Sequence, residues 1–140
     1  MAIDRDSLQY VVKRVTTPEE MEKEDAKSAH FIVVLPDGQV IGVVRVLSSI
    51  GQLGRLAIKK SYRGYGLAKP LCSAVEDHMR AIGGKEVWCQ SQADVNNVDA
   101  TGFYERLGWV KRGDKYIKEK TIHQDMVLFL NADGTQNADK

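Results

Sequence analysis

The sequence is short of the features that mark several large classes of protein. Net charge is nearly absent: 20 Lys and Arg stand against 19 Asp and Glu, a formal +1. A chain so balanced has no global pull toward nucleic acid or an anionic membrane. No apolar run is long enough to span a bilayer, and no charged-then-apolar signal segment opens the chain. Cysteine is limited to Cys72 and Cys89, whose spacing suits neither a disulfide framework nor a zinc site. Packing in a helix and a strand accounts for both thiols, and a reducing, cytoplasmic compartment is the expectation. His30, His78 and His123 are far apart and form no ligand pair, so no metal site is expected. Internal repeats are missing as well.

What is present is enough chain for one good core: 140 residues. A single domain is expected over residues 1–130, with a polar, disordered tail over 131–140. Strands are expected at Leu8–Val15, Ala29–Leu35, Val40–Leu47, from Leu53 to Ile58, and at Glu86–Ser91, Trp109–Tyr116 and His123–Leu130. Pro36-Asp37-Gly38-Gln39 makes a hairpin turn of the second and third, and Ile117–Thr121 is a charged connection between the last two. His30 is read as a half-buried strand residue. A short helix is capped by Thr16 or Thr17 ahead of Pro18-Glu19-Glu20 and runs to Lys27. A longer one places Leu67, Leu71, Ala74, Val75, Met79 and Ile82 on one face and stops at Gly83-Gly84. The last helix, Asp94–Leu107, buries Ala100, Phe103, Tyr104 and Leu107 and closes at Gly108. The strand–helix–strand succession in the middle forces parallel pairing through a right-handed crossover. The fold class is therefore α/β with a mixed sheet: antiparallel N-terminal strands joined to a central parallel pair. Where that pair splays at its carboxyl ends, a crevice opens for a ligand.

The stretch Leu53 to Ala68 is the one around which the chain is organised. An apolar strand runs into a basic, glycine-containing turn and then into a helix. Gly64 and Gly66 permit open backbone conformations, and the helix N-terminus offers N–H groups and the positive end of a dipole. Lys59, Lys60, Arg63 and Lys69 add charge of the sign that holds phosphate. No Gly-Lys-Ser/Thr follows at Walker spacing, and Lys69 stands where the dinucleotide fingerprint needs its third glycine. On the glycines alone, a strand-to-helix turn with solvated lysines is the better account.

Arg63-x-x-Gly66-x-Ala68, between such a strand and such a helix, resembles the acetyl-CoA loop of the GNAT N-acetyltransferase superfamily. A second segment, Asn97-x-x-Ala100-x-x-x-Tyr104 followed by Glu105-Arg106-Leu107-Gly108-Trp109, resembles the end of that family's later helix. Together the likeness covers about Ala29 to Leu130. It implies a GNAT-like fold and acetyl-CoA as the acetyl donor, with an amine as the acceptor. Leu56, Ala57 and Ile58 would present backbone groups to the pantetheine arm. Arg63, Gly64, Tyr65, Gly66, Leu67 and Ala68 would bind the pyrophosphate, and Asn97 would touch the pantetheine region. Tyr104 would protonate the departing CoA thiolate. Without the resemblance, Asn97 reads as a cap and Tyr104 as a core aromatic.

Ile122-His123-Gln124-Asp125-Met126, with Gly54–Ile58 and Trp88-Cys89, resembles the branch of that family which includes glyphosate N-acetyltransferase. There the histidine is taken as the base that receives the amine proton, and an arginine at the position of Arg55 contacts an anionic group of the substrate. This chain departs from the branch pattern. The proline before the histidine is absent, Thr121 stands for glycine, and Gln92 falls near a second substrate arginine. A strand-edge His123 without a catalytic role and an Arg55 that serves as an ion-pair partner remain open. So do two other functions: acetylation of a protein lysine or N-terminus, and a non-catalytic acyl-CoA-binding module. Fewer residues than usual separate the first two strands, so either the acceptor pocket is more open or a homodimer completes it. Nucleic-acid binding through Lys59–Arg63 is opposed by the near-neutral charge.

Overall fold

The computed structural model describes residues 7–15, 28–93 and 100–130. The helix expected at Thr16–Lys27, the start of the Asp94–Leu107 helix with Asn97, and the tail from Asn131 lie outside those residues. Contacts gather the chain into two compact units, Met1–His78 and Met79–Lys140.

The first unit is built from strands β1 (Val11–Val15), β2 (Ser28–Val34), β3 (Val40–Leu47) and β4 (Gln52–Ile58), each antiparallel to the next. Alternation does the sorting: Ala29, Phe31 and Val33 on β2 and Val44 and Val46 on β3 are buried, and their neighbours less so. The β2–β3 turn forms as its residues dictate. Gly38 takes φ +90°, its N–H donates to the Leu35 carbonyl at 2.8 Å, and Asp37 Oδ1 accepts from the Gln39 N–H at 3.0 Å.

Helix α1 (Ala68–Ala81) follows β4 and a short 3-10 turn at Lys60–Tyr62 that the sequence did not signal. Pro70 sits in the first turn, where no intrahelical N–H is needed, so it starts the helix without kinking it. Leu67, Leu71, Cys72, Val75 and Met79 form the buried stripe, each worth roughly 1.5–3 kcal/mol for the larger side chains. The helix comes close to the strands because position 42 is glycine. A Cβ there would lie 2.9 Å from Ile58 Cδ1 and 3.3 Å from both Leu71 Cδ1 and Val33 Cγ2. Gly83 (φ +82°) and the Gly84 N–H, bonded to the Met79 carbonyl at 2.7 Å, end the helix. Ile82, expected on the apolar face, is 53% exposed because it lies past the last helical turn.

β4 carries an irregularity that no residue in it announced. Pairing with β3 steps from Val43↔Ala57 to Arg45↔Gly54, so Arg55 and Leu56 together oppose one residue. Arg55 takes φ +54°, a left-handed conformation normally left to glycine.

The second unit holds β5 (Glu86–Gln92), α2 (Thr101–Arg106), β6 (Val110–Lys118) and β7 (Thr121–Phe129), with β7 antiparallel to both β5 and β6. Val87, Cys89 and Ser91 of β5 share a buried face with Leu128, Met126 and Gln124 of β7. The expected five-residue connection between the last strands is shorter: Lys118 pairs with Thr121, and only Glu119 (φ +52°) and Lys120 (φ +67°) turn. Two successive left-handed residues give the primed turn whose twist matches a hairpin. β6 also bulges, since Arg112↔Asp125 is followed by Tyr116↔His123. The buried Gln124 amide fills that gap, donating to the carbonyls of Gly113 at 2.9 Å and Arg112 at 3.2 Å.

Candidate active site

In the first unit the residues expected to grip a diphosphate form one continuous turn from the end of β4 to the start of α1. Gly64 (φ +91°) and Gly66 (φ +76°) are both left-handed, alternating with ordinary residues. Two such glycines one residue apart let a turn present backbone N–H groups to an anion. Gly64 has nothing within 4 Å of a hypothetical Cβ, so its need for glycine is conformational rather than steric. Arg63 Nε donates to the Ile58 carbonyl at 3.1 Å, which ties the turn to the strand it leaves. Tyr65 is half-buried beside Tyr62, with ring centroids 5.9 Å apart. Leu67 is buried and anchors the helix start, while Lys59, Lys60, Arg63 and Lys69 are exposed. The first turn of α1 contains no acidic residue to compete for its dipole. Leu56 and Ile58 are half-buried and Ala57 exposed, so this end of β4 keeps backbone near the surface. The residues present fit a phosphate-bearing donor.

In the second unit Tyr104 is 7% exposed, held by Phe103 and Trp109 with ring centroids 5.0 Å away in each case. Its side chain bonds the Cys89 thiol, and burial first of all pushes that thiol up to about 12. Cys89 is therefore protonated at neutral pH and unsuited to nucleophilic attack. His123 sits on the other face: it pairs with Gln92, whereas Cys89 pairs with Met126, an odd number of residues away. The His123 imidazole lies 3.2 Å from the Thr121 carbonyl through Nδ1. In the tautomer that makes this contact Nδ1 donates, because a carbonyl accepts only, and the Thr121 hydroxyl stands 3.4 Å from the same nitrogen. Tyr116 stacks on the ring at 5.9 Å and 21° and donates its own hydroxyl to Asp125. Partial burial, then Asp125, pushes the Tyr116 phenol well above its ordinary range.

Tyr116 and Asp125 were missed from the sequence. Reading a two-residue turn at Glu119-Lys120 would have placed Tyr116 opposite His123 by counting outward. Among the described residues, no cluster of three or more His, Cys, Asp or Glu could hold a metal ion, and no helix is long and apolar enough to cross a membrane.

Comparison with known proteins gives a consistent result. The profile of the acetyltransferase (GNAT) domain family matches residues 3–130. N-alpha-acetyltransferase 30 of Schizosaccharomyces pombe is 41% identical over 83 residues, 58% of this chain and 54% of that protein. The uncharacterized protein YyaT of Bacillus subtilis is 26% identical over 115 residues, 79% of this chain and 74% of the relative. The chain thus spans about half the length of the first of these relatives. Among solved structures, the spermidine/spermine N-acetyltransferase SpeG from Vibrio cholerae aligns with a TM-score of 0.68 at 15% identity, over 90% of this chain and 95% of its own. The IAA acetyltransferase from Bacillus cereus gives 0.68 at 12%, over 87% and 100%. At these identities the structures speak for a shared mixed α/β fold.

Proposed function

Since the chain belongs to the GNAT acetyltransferase family, we propose that it is an N-acetyltransferase that moves the acetyl group of acetyl-CoA to the primary amine of a small acceptor. Residues 1–130 act as one catalytic domain, in the cytoplasm, with a homodimer as the way to complete a short acceptor wall. The turn from Arg63 to Ala68 holds the diphosphate, the strand end Leu56–Ile58 carries the pantetheine arm, and Asn97 touches it. The observation that carries this reading is the alternating left-handed pair Gly64 and Gly66 ahead of a helix whose first turn has no acidic residue.

The amine nitrogen attacks the thioester carbon, and charge builds on its oxygen until the carbon–sulfur bond breaks. Tyr104 gives its proton to the departing sulfur. His123 Nε2 takes the proton shed by the amine, and Arg55 reads a carboxylate or phosphate on the acceptor. With Cys89 protonated, direct attack in a ternary complex needs no covalent enzyme intermediate. Positioning supplies up to roughly 7–11 kcal/mol in favourable intramolecular models, and each proton transfer about 10²–10⁴ in rate. The likeness of Gly54–Ile58, Trp88-Cys89 and Ile122–Met126 to the glyphosate N-acetyltransferase branch favours the small acceptor.

The test is thiol release from acetyl-CoA over a panel of small amines. Tyr104→Phe should lower kcat by about a hundredfold with little change in KM for acetyl-CoA. An unchanged kcat would remove Tyr104 from the mechanism. For His123→Ala, a pH–rate profile identical to the parent would remove the base. A protein N-terminus is the second reading, favoured by the 41% identity to N-alpha-acetyltransferase 30, and acetylated peptides in mass spectrometry would select it. CoA binding without thiol release over both panels would leave a non-catalytic module.

A further inference from the structure

We propose that Tyr116, tethered by its hydroxyl to Asp125, is the positioning residue that holds the His123 imidazole in one orientation and so presents Nε2 to the acceptor amine; this rests on the transferase reading above. The three groups share one face of the β6–β7 pair. Tyr116 lies directly opposite His123, and Asp125 stands two residues along β7, on the same side of the strand. A diagonal of that kind is within reach of an aromatic side chain. Tyr116 spans it: its ring stacks on the imidazole at 5.9 Å and 21°, and its hydroxyl donates to Asp125 Oδ1. All three residues are half-buried.

A hydrogen bond fixes a point, and a stacked ring fixes a plane. Nδ1 of His123 is held 3.2 Å from the Thr121 carbonyl, at the long end of the usual range, and about that point alone the imidazole is free to swing. Stacking on Tyr116 stops the swing, and Asp125 stops Tyr116 from turning away. Burial first, then the hydrogen bond to Asp125 and its charge, pushes the Tyr116 phenol well above its ordinary range. The hydroxyl therefore keeps its proton and remains a donor near neutral pH. The bulge in β6 completes the arrangement. Regular pairing continued from Tyr116↔His123 would set Asp114 opposite Asp125, where like charges repel; the bulge puts Arg112 there instead. Arg112 is held by Glu86 at 2.9 and 3.0 Å, and Lys118 donates to Gln90, so these two charged neighbours on β6 are engaged with β5. Orientation matters because a general base works only within hydrogen-bond reach of the proton it takes, and a misplacement of about 1 Å can cost about a hundredfold.

The experiment is a double-mutant cycle on the full chain with acetyl-CoA and the best amine of the panel. Tyr116→Leu should lower kcat about ten- to thirtyfold with KM for either substrate within about twofold. In the His123→Ala background the same change should cost less than about twofold, because its effect runs through the imidazole. Tyr116→Phe keeps the stack and loses the tether, so it should cost about threefold and be matched by Asp125→Ala. Asp125→Asn keeps an acceptor for the hydroxyl and should stay near the parent. An equal loss from Tyr116→Leu with and without His123, or no loss in the parent background, overturns the positioning role. So does an Asp125→Asn as slow as Tyr116→Leu, since the carboxylate charge would then be the cause. A second measurement is independent of turnover: nitrogen NMR shifts of the neutral His123 ring report which nitrogen carries the proton. The parent should favour the Nδ1–H form, and Tyr116→Leu should lower its ratio to the Nε2–H form at least about fivefold, as loss of an aromatic contact allows. A parent without that preference, or an unchanged ratio, overturns the proposal. Should no amine be acetylated, or should His123→Ala leave kcat unchanged, the transferase or the base reading fails by itself, and the nitrogen shifts decide whether Tyr116 holds the ring.

Discussion

Arg55 offers a measurement that separates backbone strain from charge. Its φ of +54° places an L-residue where the Cβ crowds the following carbonyl, at a cost of roughly 1–2 kcal/mol. Glycine is exempt from that cost but gives up about 0.5–1 kcal/mol of extra chain entropy on folding. Arg55→Gly should therefore stabilise the protein by about 1 kcal/mol. Arg55→Ala keeps the Cβ and the strain while removing the same guanidinium, so it should be close to neutral. At a urea slope of roughly 2 kcal/mol per molar, the glycine variant should melt about 0.5 M later than the alanine variant. Equilibrium urea unfolding followed by Trp88 and Trp109 fluorescence reads the difference directly. Both variants should lose the preference for anionic amines equally, since both lose the charge. Equal midpoints would refute the bulge conformation, and a glycine variant with intact preference would refute the role of the side chain. Strain kept at a binding residue has a functional reason only if both halves hold.

Three further outcomes follow from named groups. Cys89, pushed up to about 12 by burial, and the buried Cys72 should resist iodoacetamide near pH 8 in the native protein and react in denaturant; rapid labelling of either in the folded chain would contradict their placement. The His78 imidazole is lowered from 6.5 by partial burial and then by Arg14, so the unfolded chain binds its proton more readily. Stability from this site is complete above 6.5 and is lost as pH falls below it; the loss in thermal midpoint between about pH 7.5 and 5.5 should shrink in His78→Gln, and an equal loss would exclude His78 as its source. Glu119→Asn combined with Lys120→Gly supplies the residues a primed turn prefers and should raise stability by roughly 1–2 kcal/mol in urea unfolding; no gain would mean the turn is not left-handed at both positions.

Much of this was legible because it is written in periodicity. The buried stripe from Leu67 to Met79 and the alternation along β2 follow from geometry that residue type alone obeys, and Gly38 and Gly83 mark turns that only glycine makes easily. The GNAT motif from Arg63 to Ala68 was readable for the same reason, since its glycines are required by backbone conformation. What stayed hidden is where an ordinary side chain occupies an unusual backbone: Arg55 in the β4 bulge, Glu119 and Lys120 in the last hairpin. Nothing in an arginine or a lysine signals positive φ. The stacking of Tyr116 on His123 was missed in consequence, because it depends on the register that Glu119 and Lys120 set.

The bond from Arg63 Nε to the Ile58 carbonyl implies something about how a ligand arrives. A loop fastened to its own strand waits in the shape it will have when occupied, like a socket rather than a closing hand. Little ordering entropy then remains to be lost on association, and free and loaded forms should superpose closely there. Replacing Arg63 by lysine would keep the charge yet loosen the fastening, so affinity would drop through a faster departure of the nucleotide end rather than a slower approach.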